Sequence, residues 1–378
     1  MDLTKAFDRI EHPSLFNALA EQGVPAEYIR ILSDLYHNQH GSVNGSDLFE
    51  ITRGVKQGDV LSSLLFNSGL EHAVRRFKDR VRGSGVDVGG AERLTNIRYA
   101  DDILLYATSA ADAMYMLEVI CEELSKCGLA LNAGKTKVFT NDPGYSMSAD
   151  AFTVPFREQS LPIMISTDMH KYLGRKLTGN MSDRANANIM YRMECAWARY
   201  HANRAVLTNK NISVKLRLRH FDSVVSPTAT YGLSTCALTQ QQRMKIASTR
   251  STMLRRIVGF WKRPEEYWGE SGRRCKHRLQ RALSQCAVSS WLQVIDRMQW
   301  RLLHKIYGDD DSWPRVVMTW TPSTGKRSRG RPKTRWTDNV NRYLNSKHGT
   351  CLRQIFQDNL PFDFAKFEQD FVDFTALQ

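Results

Sequence analysis

The sequence predicts an α+β fold, an antiparallel sheet with helices on one side followed by a mostly helical second half. Three observations lead to it. Leu94 to Ala107 is apolar apart from Thr95, Asn96, Arg98 and the adjacent pair Asp101-Asp102. That stretch reads as a β-hairpin buried on at least one face, with two carboxylates at its tip. Amphipathic stretches of helical spacing lie on either side of it, and from Asp183 onward helical spacing dominates.

The elements follow in order. His12 to Gln22 predicts a helix with Leu15, Phe16 and Leu19 on one face, ended by Gly23. Pro25 opens a second, with Ile29, Leu32, Leu35 and Tyr36 inward. Asn44-Gly45 signals a hairpin turn between Ser42-Val43 and Leu48-Phe49-Glu50-Ile51. Leu61 to Arg76 predicts a long helix with a basic end, and Asp59 or Ser62 would make its N-cap. Ala110 to Cys127 predicts another, with Met114, Leu117, Ile120, Cys121 and Leu124 on one face and Gly128 past its end. Lys137 to Thr140 is strand-like. Asn141 to Met169, with Pro143, Gly144, Pro155 and Pro162, reads as a turn-rich connecting insertion. Helices are predicted over Ala187 to Val206, Ser213 to Ser226 and Gln240 to Val258, and over Thr337 to Leu344 with Trp336 as its anchor.

A chain of 378 residues, 42% hydrophobic and 10% aromatic, has room for two or three domains with sizeable cores. The net charge of +14 suits a polyanionic partner, although a basic solvated surface would give the same number. The 7 cysteines are dispersed, without a C-x-x-C pair or zinc-knuckle spacing. With no signal peptide, they point to a reducing intracellular compartment, nuclear or cytoplasmic. No apolar stretch approaches the roughly 20 residues that would span a membrane.

Two neighbouring acids in an apolar hairpin have two explanations. Asp is common in turns because its side chain bonds the backbone two residues on. Alternatively, a cation occupies the site, since burying unpaired carboxylates is costly. A third acid, Asp2 in Met1-Asp2-Leu3-Thr4-Lys5-Ala6-Phe7-Asp8, favours a metal. Two-metal phosphoryl transfer needs carboxylates from separate elements converging on ions about 3.5–4 Å apart. Asp8 could instead cap the helix that starts near His12.

Five motifs then carry a resemblance. Asp2-Leu3-Thr4-Lys5-Ala6-Phe7-Asp8 resembles the first catalytic motif of reverse transcriptases, and Gly54-Val55-Lys56-Gln57-Gly58-Asp59 the second. Tyr99-Ala100-Asp101-Asp102 resembles the third, Gly128-Leu129-Ala130-Leu131-Asn132 with Lys135-Thr136-Lys137 the fourth, and Tyr172-Leu173-Gly174 the fifth, the primer grip. The style is that of non-LTR (LINE-like) retrotransposons. The resemblance implies an RNA-directed DNA polymerase with a reverse-transcriptase palm over residues 1–180, a helical thumb over 181–262 and a helical, basic C-terminal region over 263–378. Its partners would be an RNA template, a DNA primer or target DNA, and dNTPs, with no membrane. Its cofactors would be two Mg²⁺ ions, or Mn²⁺ in their place.

The resemblance also implies roles. Asp2, Asp101 and Asp102 would hold the metals, and Lys135 would stabilise charge or give a proton at the triphosphate. Phe7 would be the steric gate that crowds a 2′-OH. Gln57, Gly58 and Tyr99 would flank the nucleotide and template. Tyr172, Leu173 and Gly174 would hold the primer. Lys210, Lys215, Arg217, Arg219 and His220 would be phosphate contacts of the thumb. Each has a plainer counterpart: a core aromatic, a loop before a helix, a solvated cation.

The sequence departs from these relatives at Val60 and Ser63, where they usually carry proline, and at its start, where fingers and endonuclease would precede Asp2. The expectation is a domain truncated at its N-terminus, with little or no polymerase activity alone. Two alternatives stay open: a catalytically dead retroelement remnant that only binds nucleic acid, and a protein similar to group II intron maturases.

The tail carries its own signals. Thr230-Tyr231-Gly232, Leu238-Thr239 and Met253 to Gly259 resemble the segment after the thumb in LINE elements, and Gly325 to Trp336 resembles their basic signature. Lys326, Arg327, Arg329, Arg331, Lys333 and Arg335, interrupted by Gly330 and Pro332, would form an extended ribbon along phosphates. Arg329-Gly330-Arg331-Pro332 also matches the core of an AT-hook. Beyond Cys351 the chain is acidic and rich in Phe, and Pro361 to Phe374 could form an amphipathic helix docked on the thumb.

Overall fold

In the computed structural model the described residues are 1–45, 47–89, 92–140, 153–156, 159–164, 169–178, 184–259, 262–286, 288–309, 312–319, 334–358 and 360–376. The chain divides into two compact units, Met1–Ile165 and Ser166–Gln378.

The first unit runs α1 (Ala6–Arg9), α2 (His12–Glu21), α3 (Ala26–Tyr36), β1 (His40–Gly41), β2 (Phe49–Glu50), α4 (Val60–Arg80), β3 (Asn96–Tyr99), β4 (Asp102–Leu105), α5 (Ala110–Ser125), β5 (Val138–Phe139), β6 (Thr153–Phe156) and β7 (Gln159–Met164). Asp59 caps α4, its carboxylate accepting from Leu61 N at 2.9 Å. Ser109 caps α5 in the same way through Asp112 N. The predicted inner face of α5 is the observed one: Leu117, Ile120, Cys121 and Leu124 are buried. They pack with Phe66, Leu70 and Phe77 of α4 and with Ile10, Leu15 and Ile103 in one core. On α3 only part of the expected face turns inward. Ile29, Leu32 and Tyr36 pack on the core, whereas Leu35 is exposed, in line with Tyr28 and Ile31 on an adjacent, solvent-facing side of the helix.

The sheet structure is small and divided. Among the described residues of this unit β1–β2 and β3–β4 are two-stranded antiparallel pairs, and β5-β7-β6 is a three-stranded sheet with β5 parallel to β7. The single sheet expected from the hairpin signals is not continuous among the described residues. Leu3 makes only an isolated bridge to Leu131, and Lys5, at φ 46°, turns the chain into α1. The insertion after Thr140 is less irregular than its prolines suggested, since Pro155 and Pro162 both lie in paired strands.

The second unit opens with β8 (Met169–Tyr172) and β9 (Arg175–Thr178). Helices follow: α6 (Arg184–Ala202), α7 (Arg204–Leu207), α8 (Val214–Val224), α9 (Ser226–Thr230), α10 (Gln240–Val258), α11 (Trp268–Ser284), α12 (Trp291–Tyr307), α13 (Trp313–Thr319), α14 (Asp338–His348), α15 (Leu352–Gln357) and α16 (Glu368–Ala376). Two cores fill it. One joins α6, α8, α10 and α11 to the start of α12. The other gathers Trp300, Tyr343, Phe364 and Phe371 from α12, α14 and the tail. The Phe-rich tail therefore has a partner inside the fold, with Phe371 stacked on Trp300 at 4.6 Å. That partner is α12 rather than the helices of residues 181–262. Trp336 is anchored as expected, donating from Nε1 to Ser234 O at 2.6 Å. No helix among the described residues is long and apolar enough to cross a membrane.

Candidate active site

The carboxylate pair sits on a tight turn. Tyr99 pairs with Asp102, so Ala100 and Asp101 form the connection between β3 and β4. Ala100 has φ 51°, a conformation that costs an L residue roughly 1–2 kcal/mol. Among the described residues five non-glycine residues have positive φ, and two are asparagines, which tolerate it. The other three, Lys5, Ala100 and Leu173, lie one each in the first, third and fifth motifs. Backbone strain of this kind persists where the surroundings impose it and clusters at functional sites.

Asp2 reaches the same hairpin through the backbone. Met1 N donates to Ile103 O at 2.9 Å and Ile103 N donates to Met1 O at 3.3 Å. With Met1 opposite Ile103 in antiparallel register, Asp2 stands opposite Asp102, and directly opposed side chains share one face. The charges are felt accordingly: burial lowers the proton affinity of the Met1 amino group, while Asp102 and then Asp2 oppose that effect. Asp2 is held from its other side by the segment after α5. Asn132 N donates to Asp2 O at 2.9 Å, Asp2 N donates to Thr136 Oγ1 at 3.2 Å, and Thr4 N donates to Ala130 O at 2.8 Å.

Lys135 is exposed on the turn between Asn132 and Thr136, the two residues that bond the Asp2 backbone. Thr136 is buried at 3% exposure, and the sequence offered only a small hydroxyl between two lysines as its signal. Phe7 is half-buried and stacks on Phe66. The second motif is fastened to the first: Val55 N donates to Phe7 O at 2.7 Å, Gly54 N to Ile10 O at 2.8 Å, and His12 Nε2 lies 2.8 Å from Gly54 O. Gln57 and Gly58 are exposed at the mouth of α4, and Tyr99 is 68% exposed on β3. Arg98 ties the hairpin to α4 through Glu71 at 2.6 Å. Burial would raise the Glu71 carboxyl, but its bonds to Arg98 and Arg75 hold it below the ordinary value.

Among the described residues no three His, Cys, Asp or Glu side chains are grouped closely enough to hold a metal ion. The register thus gathers two of the three expected ligands, Asp2 and Asp102, and leaves Asp101 on the turn. Two hard carboxylates on one face fit Mg²⁺, which is commonly held by one or two carboxylates with phosphate and water completing its shell.

The remaining expected sites lie in the second unit. Tyr172 ends β8, and Leu173-Gly174 form the turn into β9. Arg217 is not a free phosphate contact: it is 6% exposed and donates to the carbonyls of Ile212 and Ile257. Lys326, Arg327, Arg329, Arg331 and Lys333, with the AT-hook match, lie outside the described residues. Arg335 is exposed, and its backbone N bonds Asp338 Oδ2 at 2.7 Å.

The reverse transcriptase (RNA-dependent DNA polymerase) family profile matches residues 1–177. The chain is 29% identical over 256 residues to a transposon-derived protein of Caenorhabditis elegans, a match covering 67% of this chain and 86% of that protein. It is 33% identical over 196 residues to the retrovirus-related Pol polyprotein from the type-2 retrotransposable element R2DM of Drosophila melanogaster, covering 49% of this chain and 18% of the relative. It is 24% identical over 285 residues to the RNA-directed DNA polymerase from mobile element jockey of Drosophila funebris, covering 68% and 28%. The chain therefore spans under a third of those two polymerase relatives. Residues 1–177 are a reverse transcriptase domain of the non-LTR retrotransposon type, related to the R2 and jockey Pol proteins.

Proposed function

We propose that this chain carries the polymerase palm of an RNA-directed DNA polymerase, transferring nucleotides from dNTPs to a DNA primer on an RNA template. The observation that carries this reading is the backbone pairing of Met1 with Ile103, which sets Asp2 opposite Asp102 beside the strained Ala100-Asp101 turn. Asp2 and Asp102, with Asp101 next to them, would hold Mg²⁺ or Mn²⁺. When bound, the metal supplies charge neutralisation at the phosphates. Phe7 would exclude the 2′-OH, Gln57, Gly58 and Tyr99 would line the nucleotide and template, and Lys135 would face the triphosphate. Tyr172-Leu173-Gly174 would hold the primer end, with the helices of residues 181–262 as a thumb. Residues 263–378, with the basic ribbon Lys326 to Arg335, would track nucleic-acid phosphates.

A second reading, nucleic-acid binding without catalysis, is favoured by one observation: three acidic side chains do not converge among the described residues. Primer extension on an RNA template with Mg²⁺ or Mn²⁺, alongside hybrid binding by the same protein, separates the two. DNA synthesis, however weak, that disappears in Asp101→Asn or Asp102→Asn while hybrid binding persists supports the polymerase reading. Hybrid binding with no synthesis in either metal would favour the second reading.

A further inference from the structure

The turn between β8 and β9 is held in place from outside. Leu173 and Gly174 are both left-handed, with φ of 44° and 74°. Glycine adopts that freely, but leucine is strained there and keeps the conformation only if its surroundings enforce it. Two side chains do so. Arg192 of α6 donates through Nη2 to the Gly174 carbonyl. Tyr231, just past α9, donates its hydroxyl to the Leu173 carbonyl at 3.2 Å. The two groups also touch: the Arg192 guanidinium carbon lies 4.5 Å from the centre of the Tyr231 ring, and 5.1 Å from that of Tyr191. The fit is close enough that a Cβ on Gly174 would come 3.0 Å from Arg192 Nη2 and 3.2 Å from Tyr231 Cε1.

The chemistry is unusual for a closure that only stabilises a hairpin. Arg192 is 8% exposed. Among the described residues of this unit the ion pairs use Arg243, Arg263, Arg274, Arg297 and Arg301, not Arg192. Its Nε has no hydrogen-bond partner among the described residues. Lys171 and Lys176 lie against the same Tyr191, 6.0 and 5.2 Å from its ring centre. A buried guanidinium with no carboxylate partner among the described residues is expensive, yet this one holds a turn carbonyl and keeps its neighbourhood positive, as strand phosphates require.

We propose that Arg192 and Tyr231 are positioning residues that fix the Leu173-Gly174 turn against the primer strand; this rests on the reading of Tyr172-Leu173-Gly174 as the primer grip. Neither residue needs to touch the reacting atoms. Tyr231→Phe keeps the ring on Arg192 and deletes one hydrogen bond. Arg192→Lys keeps the charge and deletes the fork. The test uses the full chain and an RNA-template/DNA-primer hybrid with 2-aminopurine at the primer 3′ end, in Mg²⁺ without dNTPs. Tyr231→Phe is expected to weaken hybrid binding about fivefold, the worth of one hydrogen bond. It should also change the 2-aminopurine fluorescence of the saturated complex, a signal that a merely structural role would leave alone. Glu118→Gln, exposed on α5, should keep wild-type affinity and wild-type fluorescence. If the wild type binds the hybrid with a 2-aminopurine response that Tyr231→Phe and Arg192→Lys both reproduce, the clamp is wrong and the primer-grip reading stands. If the wild type binds the hybrid with no response at the primer 3′ end, or does not bind it, the primer-grip reading fails and the clamp with it.

Discussion

The rings of Phe7 and Phe66 are stacked, with centroids 4.5 Å apart and planes 18° apart. Phe66 is fully buried in α4 and Phe7 is half-buried, so the core fixes one face of the Phe7 ring. Under the steric-gate reading, a ring held this way would not swing aside for a 2′-OH. Phe7→Val is therefore expected to raise ribonucleotide use relative to deoxynucleotide use by about tenfold, within the range that one pocket group supplies. It should also lower stability by about 1–3 kcal/mol through lost burial and stacking. The ratio of kcat/KM for the two nucleotide classes checks the first effect. An unchanged ratio would reduce Phe7 to a core residue.

Gly54 makes a prediction that needs no substrate. Its φ is 89°, and a Cβ there would lie 2.8 Å from Asp8 O and 2.9 Å from Asp8 C and Cα, all backbone atoms that cannot swing away. Gly58 has a similar φ of 92° but nothing within 4 Å of a Cβ. Gly54→Ala should cost about 3 kcal/mol or more, adding a clash to the strain. Gly58→Ala should cost about 1 kcal/mol, the backbone strain alone. Urea unfolding of the two variants gives the comparison, and equal losses would refute the packing of the second motif on the first.

These cases show what the sequence could carry. Asp59 as N-cap, Gly128 after α5 and the hairpin around Asp101-Asp102 were legible because each is local chemistry with a short period. Thr136 was not, since its role depends on a bond to Asp2 134 residues away. Arg217 reads as one more surface cation on a basic helix until the carbonyls of Ile212 and Ile257 close around it. Leu35 failed for a related reason: α3 has apolar residues on two sides, and only the tertiary partner selects which side is buried. Tyr231 stood out as part of a three-residue signature, but nothing local tied it to Leu173.

Glu123 on α5 predicts a pH dependence. It is 2% exposed and accepts from Arg80 of α4 and from Lys126, each at 2.7 Å. Burial pushes its carboxyl up, and the bonds to Lys126 and Arg80 outweigh that and hold it below the ordinary 4.5. A depressed carboxyl stabilises the fold above its unfolded pKa, and the contribution fades as pH falls through the folded value. Glu123→Gln should therefore cost about 1–3 kcal/mol at neutral pH. The difference from wild type should shrink as pH falls below about 4.5. Denaturant unfolding at several pH values measures it, and a difference that stays constant from neutral to acid pH would exclude this ion pair as the cause.

The second unit hangs on a buried ion pair that joins three helices. Arg243 of α10 bonds both carboxylate oxygens of Asp296 on α12, at 2.8 and 2.6 Å, and Thr375 of α16 donates to the same carboxylate at 2.8 Å. Asp296 is 1% exposed and Arg243 9%. Removing one partner strands a charge where water cannot reach it, which costs about 3–5 kcal/mol, whereas replacing both with apolar groups removes the desolvation cost as well. Asp296→Ala should thus destabilise the chain more than the double variant Arg243→Met with Asp296→Leu. Thr375→Val should cost about 1 kcal/mol, one hydrogen bond to a charged acceptor without a stranded charge. If the double variant proves the least stable of the set, the pair is a net source of stability in its own right, and the argument from desolvation fails for this site.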